Sequence, residues 1–267
     1  MPETLTVATW NVNSIRVRLP HVLDWLERHE PDILCLQETK VPDADFPFEA
    51  FEQLGYVASV YGQKGYNGVA ILSFEPQQQV RYGLPDDTPD DQRRFLLATI
   101  GGVTVASVYV PNGEAVNSPK FAYKLSFLER LTHFLTSHLT PEMPFLLCGD
   151  YNIAPADIDL HDPESNRETV MFHSREHAFL ARWRQWGLRD SVREQHPDEP
   201  GLYSWWDYRT GGFARNRGWR IDHIWATPVL ADACLSAGID RAERGRERPS
   251  DHAPVVATFR LPPKTSG

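Results

Sequence analysis

Phe145-Leu146-Leu147-Cys148 is a short apolar run closed by Pro144 on one side and Gly149 on the other, the pattern of a fully buried strand. The residues just beyond Gly149 constrain the chain further. Asp150 and Asn152 stand two residues apart at the strand's end, where alternation points both side chains the same way. Asp supplies charge and proton-accepting capacity, and Asn adds one acceptor and two donors without charge. The pair suits gripping a phosphate or a water beside a metal. Taken alone it reads more simply as a turn, because Asp and Asn are common turn residues. The same pattern recurs, however. Strand-like runs meet abrupt polar clusters at Asn11/Asn13, Glu38, Tyr109/Asn112, Asp222/His223 and Asp251/His252. So many polar strand ends are an odd use of such groups unless those ends converge on one site.

The rest of the chain supplies a sheet-rich scaffold. Leu5–Trp10 alternates as a half-buried strand, a helix is expected over about Leu19–His29, and Ile33–Leu36 reads as a buried strand. Asn67–Ser73 is a further strand, and Phe95–Ile100 and Val103–Val110 predict a hairpin around Gly101-Gly102. Ser118–Leu139 has helical periodicity, with Phe121, Leu125, Leu128, Leu131 and Leu135 on one side. A polar loop spans Ala154–Thr169, and a second amphipathic helix, His173–Trp186, is closed by Gly187. Tyr203–Arg220 is a loop rich in Trp, Gly and Arg. Ile221–Thr227, Cys234–Ile239 and Pro254–Phe259 are the last strands. No linker divides the chain, so one domain is expected over residues 1–261, with sheets packed on each other, helices outside and a frayed tail at 262–267.

Composition narrows the setting. The 267 residues are 41% hydrophobic and 24% charged, ordinary for a globular protein with a sizeable core. The apolar runs are too short to span a bilayer, and Met1–Thr9 lacks the basic and apolar regions of a signal peptide. The three cysteines form neither a disulfide framework nor a zinc spacing, which fits a reducing cytoplasm. A net charge of −9 argues against non-specific coating of nucleic acid. A local basic face remains available, because Arg209, Arg215, Arg217 and Arg220 cluster within the aromatic loop.

Six fragments then carry a specific resemblance: Trp10-Asn11-Val12-Asn13-Ser14-Ile15-Arg16, Leu36-Gln37-Glu38-Thr39-Lys40, Tyr109-Val110-Pro111-Asn112-Gly113, Gly149-Asp150-Tyr151-Asn152, Gly218-Trp219-Arg220-Ile221-Asp222 and Ser250-Asp251-His252-Ala253-Pro254. Together, in this order, they resemble the exonuclease III family of abasic-site DNA endonucleases. The resemblance implies an α/β fold of the deoxyribonuclease I-like kind, a four-layer sandwich with two mixed β-sheets face to face and helices outside. It implies a monomer that acts on double-stranded DNA with abasic sites or blocked 3′ ends, with no membrane association, and a compact bacterial-type form working in the cytoplasm.

The resemblance also assigns roles. Glu38 matches the family's principal Mg²⁺ ligand, with Asp251 and Asn11 as neighbours, direct or through water, and Mn²⁺ as a substitute. A hard cation keeps several waters, so one or two acidic residues suffice. Asn13 stands where some relatives carry Asp, which weakens a second metal position and leaves the metal count open. His252 matches the family histidine and Asp222 its partner; a carboxylate on one ring nitrogen fixes the tautomer and favours imidazolium. Asp150 is expected to orient or deprotonate water, Asn152 to hold a phosphate oxygen or that water, and Tyr109 and Asn112 to donate to the phosphate. Whether Asp150 or His252 is the general base stays open. Trp205, Trp219 and Ile221 match a pocket for a flipped abasic deoxyribose, and Arg209, Arg215, Arg217 and Arg220 are expected on flanking phosphates or wedged into the duplex.

Two rivals accompany this reading. An RNA, inositide or lipid phosphodiesterase on the same scaffold would have no use for the Trp and Arg loop. A catalytically silent lesion binder would show a broken site, whereas every expected carboxylate and histidine is present.

Overall fold

The apolar runs pair into two mixed six-stranded sheets in a computed structural model that describes residues 4–85 and 91–261. The expected tail at 262–267 lies outside the described residues. The strands are β1 (Thr4–Asn11), β2 (Ile33–Gln37), β3 (Val57–Tyr61), β4 (Val69–Ser73), β5 (Gln77–Tyr82), β6 (Phe95–Ile100), β7 (Val103–Tyr109), β8 (Phe145–Asp150), β9 (Arg189–Asp190), β10 (Asp222–Ala226), β11 (Cys234–Ile239) and β12 (Val255–Arg260). One sheet runs β11-β12-β1-β2-β4-β3 and the other β5-β6-β7-β8-β10-β9. The helices are α1 (Ile15–His29), α2 (Phe48–Glu52), α3 (Pro119–His138), α4 (Pro163–Asn166), α5 (Ser174–Trp186), α6 (Ser191–Gln195) and α7 (Pro228–Ala231).

The central strands are apolar on both faces because both faces are covered. Leu146 and Cys148 of β8 point inward with Val105 and Ile224, meeting Val7, Cys35 and Ile71 from the facing sheet. Phe145 and Leu147 point the other way, against Leu128, Leu131 and Leu135 of α3 and Leu180 and Trp183 of α5. On the far side, Ala8, Trp10, Leu34 and Leu36 receive Val22, Trp25 and Leu26 of α1. These are the four layers: helices, sheet, sheet, helices.

Local chemistry sets the joints. Gly101 and Gly102 both have positive φ (59° and 88°), as the tight β6–β7 turn requires. At Gly149 a Cβ would come 1.9 Å from the Val108 carbonyl oxygen, so only glycine lets β8 lie this close to β7 at the threshold of Asp150. His173 and Glu176 form a reciprocal capping box at the start of α5, and Ser118 accepts from Phe121 N to cap α3. Helix α1 begins at Ile15 rather than Leu19, with Pro20 inside it; the buried Ile15 anchors the additional turn.

Sequence patterning misses β3, β5 and β9: β5 is an edge strand whose exposed run Gln77-Gln78-Gln79 carries no apolar signal, β3 is an edge strand of mixed exposure, and β9 is only two residues long. Among the described residues no helix is long and apolar enough to cross a membrane.

Strand direction explains why the polar clusters meet. β1 and β2 are parallel, as are β7 and β8, so Asn11, Glu38, Tyr109 and Asp150 emerge from four C-terminal ends. β12 runs antiparallel to β1 and β10 antiparallel to β8. Their N-terminal ends therefore bring Asp251-His252 and Asp222 to the same edge of the sandwich, with Asp222 registered opposite Asp150.

Candidate active site

Asn11 is the hinge of this edge. Its Nδ2 donates to Glu38 Oε1 at 2.8 Å and to Asp150 Oδ2 at 2.9 Å, holding one carboxylate from each sheet against a single amide. Asn11 Oδ1 accepts from the Asn13 backbone at 3.0 Å, which fixes the orientation of that amide. Asn11 therefore presents its N–H groups to the two carboxylates, and its oxygen is taken by the Asn13 backbone. Lys40 Nζ lies 2.8 Å from Glu38 Oε2 and 2.5 Å from Asn13 Oδ1. Burial works against ionising Glu38, yet Lys40 and the Asn11 amide outweigh it and keep the carboxyl below its usual range. Glu38, Lys40, Asn13 and Asn152 all have positive φ, a concentration of strained backbone at one edge.

His252 is buried and held from one side. Its Nδ1 lies 2.8 Å from Asp222 Oδ2, which also accepts from Ser204 Oγ at 2.6 Å, while Nε2 faces Asp150 Oδ2 at 3.8 Å. Burial disfavours the imidazolium, but the Asp222 and Asp150 carboxylates prevail and raise its pKa to about 10. Asp150 moves the other way from an ordinary carboxyl. Burial first, and then the charge of Asp222, push it up to about 7 against the pull of His252.

A second group of donors borders Asp150. Asn152 N donates to Asp150 Oδ1 at 2.8 Å, and Asn112 Nδ2 donates to Asn152 Oδ1 at 3.0 Å. The Tyr109 phenol stays neutral, its pKa driven well up by burial and by Glu38 and Asp150. Arg94, which sequence reasoning passed over, stacks its guanidinium 4.6 Å from the Tyr109 ring centroid and donates to the Tyr109 carbonyl. A groove of about 740 Å³ opens beside Tyr109 and Asn112, also lined by Tyr66, Arg94 and Lys120.

The aromatic loop forms the opposite wall. Trp205 is bridged backbone-to-backbone with both Trp219 and His252. The rings of Trp205 and Trp219 pack with Leu160, Met171, Phe172 and the fully buried Ile221. Trp206 is core, packed against Phe213. Arg209, Arg215 and Arg217 are exposed on the loop.

Arg220 departs from expectation. It is fully buried, with Nε 2.7 Å from Asp159 Oδ1 and Nη2 2.8 Å from Asp190 Oδ2, so it cannot meet DNA phosphates. Its place between Trp219 and Ile221 in sequence gave no sign of this, because the two acidic partners, Asp159 and Asp190 of β9, lie far along the chain.

The donor set fits a hard cation. Atoms of Glu38, Asp150 and His252 all lie within 4.8 Å of one another. Glu38 and Asp150 offer the oxygens such an ion prefers, whereas His252, held as imidazolium, has no lone pair to give. Asp251, expected among the ligands, lies outside this cluster: Oδ1 accepts from Asn13 Nδ2 and Oδ2 from Trp205 Nε1, both at 3.0 Å. These bonds join the aromatic wall to the β1 loop.

Ser204, Lys40 and Lys124 also escaped functional assignment from sequence. Lys40 closes one of the six fragments and Ser204 precedes Trp205, and that adjacency is the signal that points to them. Lys124 carries no such signal, because a lysine on a helix reads as solvated.

Known proteins share this architecture. The model of the endonuclease/exonuclease/phosphatase family matches residues 8–252. Exodeoxyribonuclease III of Haemophilus influenzae is 39% identical over 264 residues, spanning 94% of this chain and 98% of its own. The 3′ phosphatase NExo of Neisseria, solved with its product DNA hairpin, superposes with a TM-score of 0.93 at 44% identity, covering 96% of this chain and 100% of that one. An AP endonuclease of Archaeoglobus fulgidus gives a TM-score of 0.93 at 42% identity with the same coverage.

Proposed function

This chain belongs to the endonuclease/exonuclease/phosphatase family, among its exodeoxyribonuclease III-type nucleases, and from that premise we propose that it cuts DNA 5′ to abasic sites in a Mg²⁺-dependent reaction. The products are a 3′-hydroxyl and a 5′-deoxyribose phosphate. Trimming of blocked 3′ ends and 3′-to-5′ degradation of duplex DNA belong to the same reading, supported by relatives named as an exodeoxyribonuclease and a 3′ phosphatase. The enzyme acts as a cytoplasmic monomer in this reading.

The observation that carries it is the joint placement of Glu38, Asp150 and His252 within 4.8 Å, with Asp222 behind the histidine and Trp205 beside it. A bound Mg²⁺, or Mn²⁺ in its place, would be held by Glu38 with Asp150 alongside and would neutralise charge at the phosphate. His252, already protonated on the side away from Asp222, donates to a phosphate oxygen. That protonation leaves it unable to accept a proton, so Asp150 takes the proton of the attacking water. The water oxygen bonds to phosphorus as the bond to O3′ breaks, and O3′ leaves as an alcohol after taking a proton from solvent. Asn152, Asn112 and Tyr109 hold the phosphate and the water. Trp205 and Trp219, on Ile221, accept a sugar without a base and exclude a normal nucleotide.

The test uses a labelled duplex with one abasic site, an undamaged duplex and a recessed 3′ end, each with Mg²⁺ or with chelator. A metal-dependent nick leaving an extendable 3′-hydroxyl is expected. No nick from folded protein would redirect the search to other phosphodiesters.

A further inference from the structure

Lys124 and Glu176 are both fully buried, and they form an ion pair between α3 and α5. Neither touches Asp150 or His252 in the described hydrogen-bond and ion-pair network. Lys124 Nζ nevertheless donates to the Asn152 carbonyl at 2.7 Å and to the Asn112 carbonyl at 3.1 Å, the two residues whose side chains meet in front of Asp150. Glu176 accepts from Met171 N at 3.2 Å and His173 N at 3.0 Å, fixing the turn that presents Met171 to the aromatic wall. Met171 Sδ in turn accepts from Asn112 Nδ2 at 3.4 Å. Gly113, next to Asn112, has a left-handed φ of 95°, and a Cβ there would press to 3.1 Å from Lys124 Cδ and 3.0 Å from Val170 Cγ2.

A buried ion pair is a poor device for stability alone, since well-packed apolar residues often serve as well. Here the ammonium gathers two carbonyls from different loops, behind the groups that face the phosphate. We propose that the Lys124–Glu176 pair is a positioning element that sets the backbones of Asn112 and Asn152, and the Met171 turn, for the hydrolytic step. This rests on the proposed function. The pair touches no substrate, and it acts on the rate of the step rather than on capture of DNA. Held geometry of this kind is worth about 10–100-fold in rate.

The test separates positioning from packing. Lys124→Met alone leaves Glu176 unpaired and is expected to lower Tm and kcat together. Lys124→Met/Glu176→Gln removes the stranded charge and regains most of the Tm. With the abasic duplex, kcat of the double variant stays about 10–100-fold down while KM remains within about threefold of wild type. Introduced into Asn112→Ala/Asn152→Ala, the same two changes cost less than about threefold, because both side chains they position toward the phosphate are gone. Recovery of kcat together with Tm, a rise in KM alone, or additive losses with Asn112→Ala/Asn152→Ala would each overturn the proposal. A wild-type protein that fails to nick the duplex would instead count against the function itself.

Discussion

His252 Nδ1 stands 2.8 Å from Asp222 Oδ2, and the opposite ring nitrogen faces Asp150. One carboxylate thus sets the state of the histidine while the other shares the reaction space. The division comes from strand direction, since Asp222 begins the antiparallel neighbour of the strand that Asp150 ends.

Replacing Asp222 by Asn keeps the shape but removes the charge that favours imidazolium. Single-turnover nicking of the abasic duplex should fall by about 10²–10⁴-fold, the range for a disabled acid–base partner. Circular dichroism and Tm should show a folded protein. A loss below tenfold would take Asp222 out of the mechanism.

Glu38→Gln keeps the size of the side chain and its acceptor toward Asn11 but frees Lys40 from its ion pair. Isothermal titration with Mn²⁺ should show affinity falling by about 10-fold or more, because hard cations favour carboxylate over amide oxygen. Turnover should fall with it, and chelator should abolish wild-type turnover. Unchanged Mn²⁺ binding would move the cation elsewhere.

The four arginines of the aromatic loop should split into two classes. Arg209→Ala, Arg215→Ala and Arg217→Ala, all exposed, should each weaken DNA binding and reduce the log–log salt slope by about 1. Arg220→Ala strands the buried carboxylate of Asp190, leaves Asp159 with Arg193 alone, and should cost about 3–5 kcal/mol of stability. Equal behaviour of all four in salt titrations and denaturant melts would contradict the division.

Sequence alone carried the architecture where physics leaves a periodic signal. The β8 run, the Gly101-Gly102 hairpin and the capped helix after His173 were legible because burial on both faces, positive φ and capping each dictate residue type. The edge strand at Gln77–Tyr82 was not, because solvent relaxes that dictation. In the site, residue identity pointed to Glu38, Asp150 and His252 but not to orientation. The amide of Asn11 turns its nitrogen to the carboxylates, and Arg220 turns inward, for reasons that lie in partners far along the chain. Lys124 was invisible for the same cause: its buried partners are backbone carbonyls and a carboxylate on another helix.

Arg220 also sets up a pH dependence of folding. His223, fully buried, accepts from Arg220 Nη1 at Nδ1 and donates from Nε2 to the Ile153 carbonyl, both at 3.0 Å, so the ring is held neutral. Around it stand Arg220, Asp190, Asp159 and the Tyr151 ring. Burial, then the Arg220 charge, lower the His223 pKa to about 4, although the Asp190 and Asp159 carboxylates oppose them. Since the folded-state pKa lies below the unfolded value near 6.5, the unfolded chain binds more protons between them. Stability from this group is therefore full above pH 6.5 and lost as pH falls toward 4, by about 3 kcal/mol. Asp190 is held at about 2 by Arg220 against the cost of burial, so its contribution is lost only below the usual carboxylate range. Asp150, raised to about 7, titrates in the same window with the opposite sign, so urea unfolding between pH 7.5 and 4 is compared between wild type and a variant that lacks only the His223 titration. His223→Gln, which keeps an acceptor and a donor without titrating, should lack the His223 loss, so the wild-type midpoint falls relative to the variant's as pH drops from 6.5 to 4. An equal slope in both proteins would place the titration elsewhere.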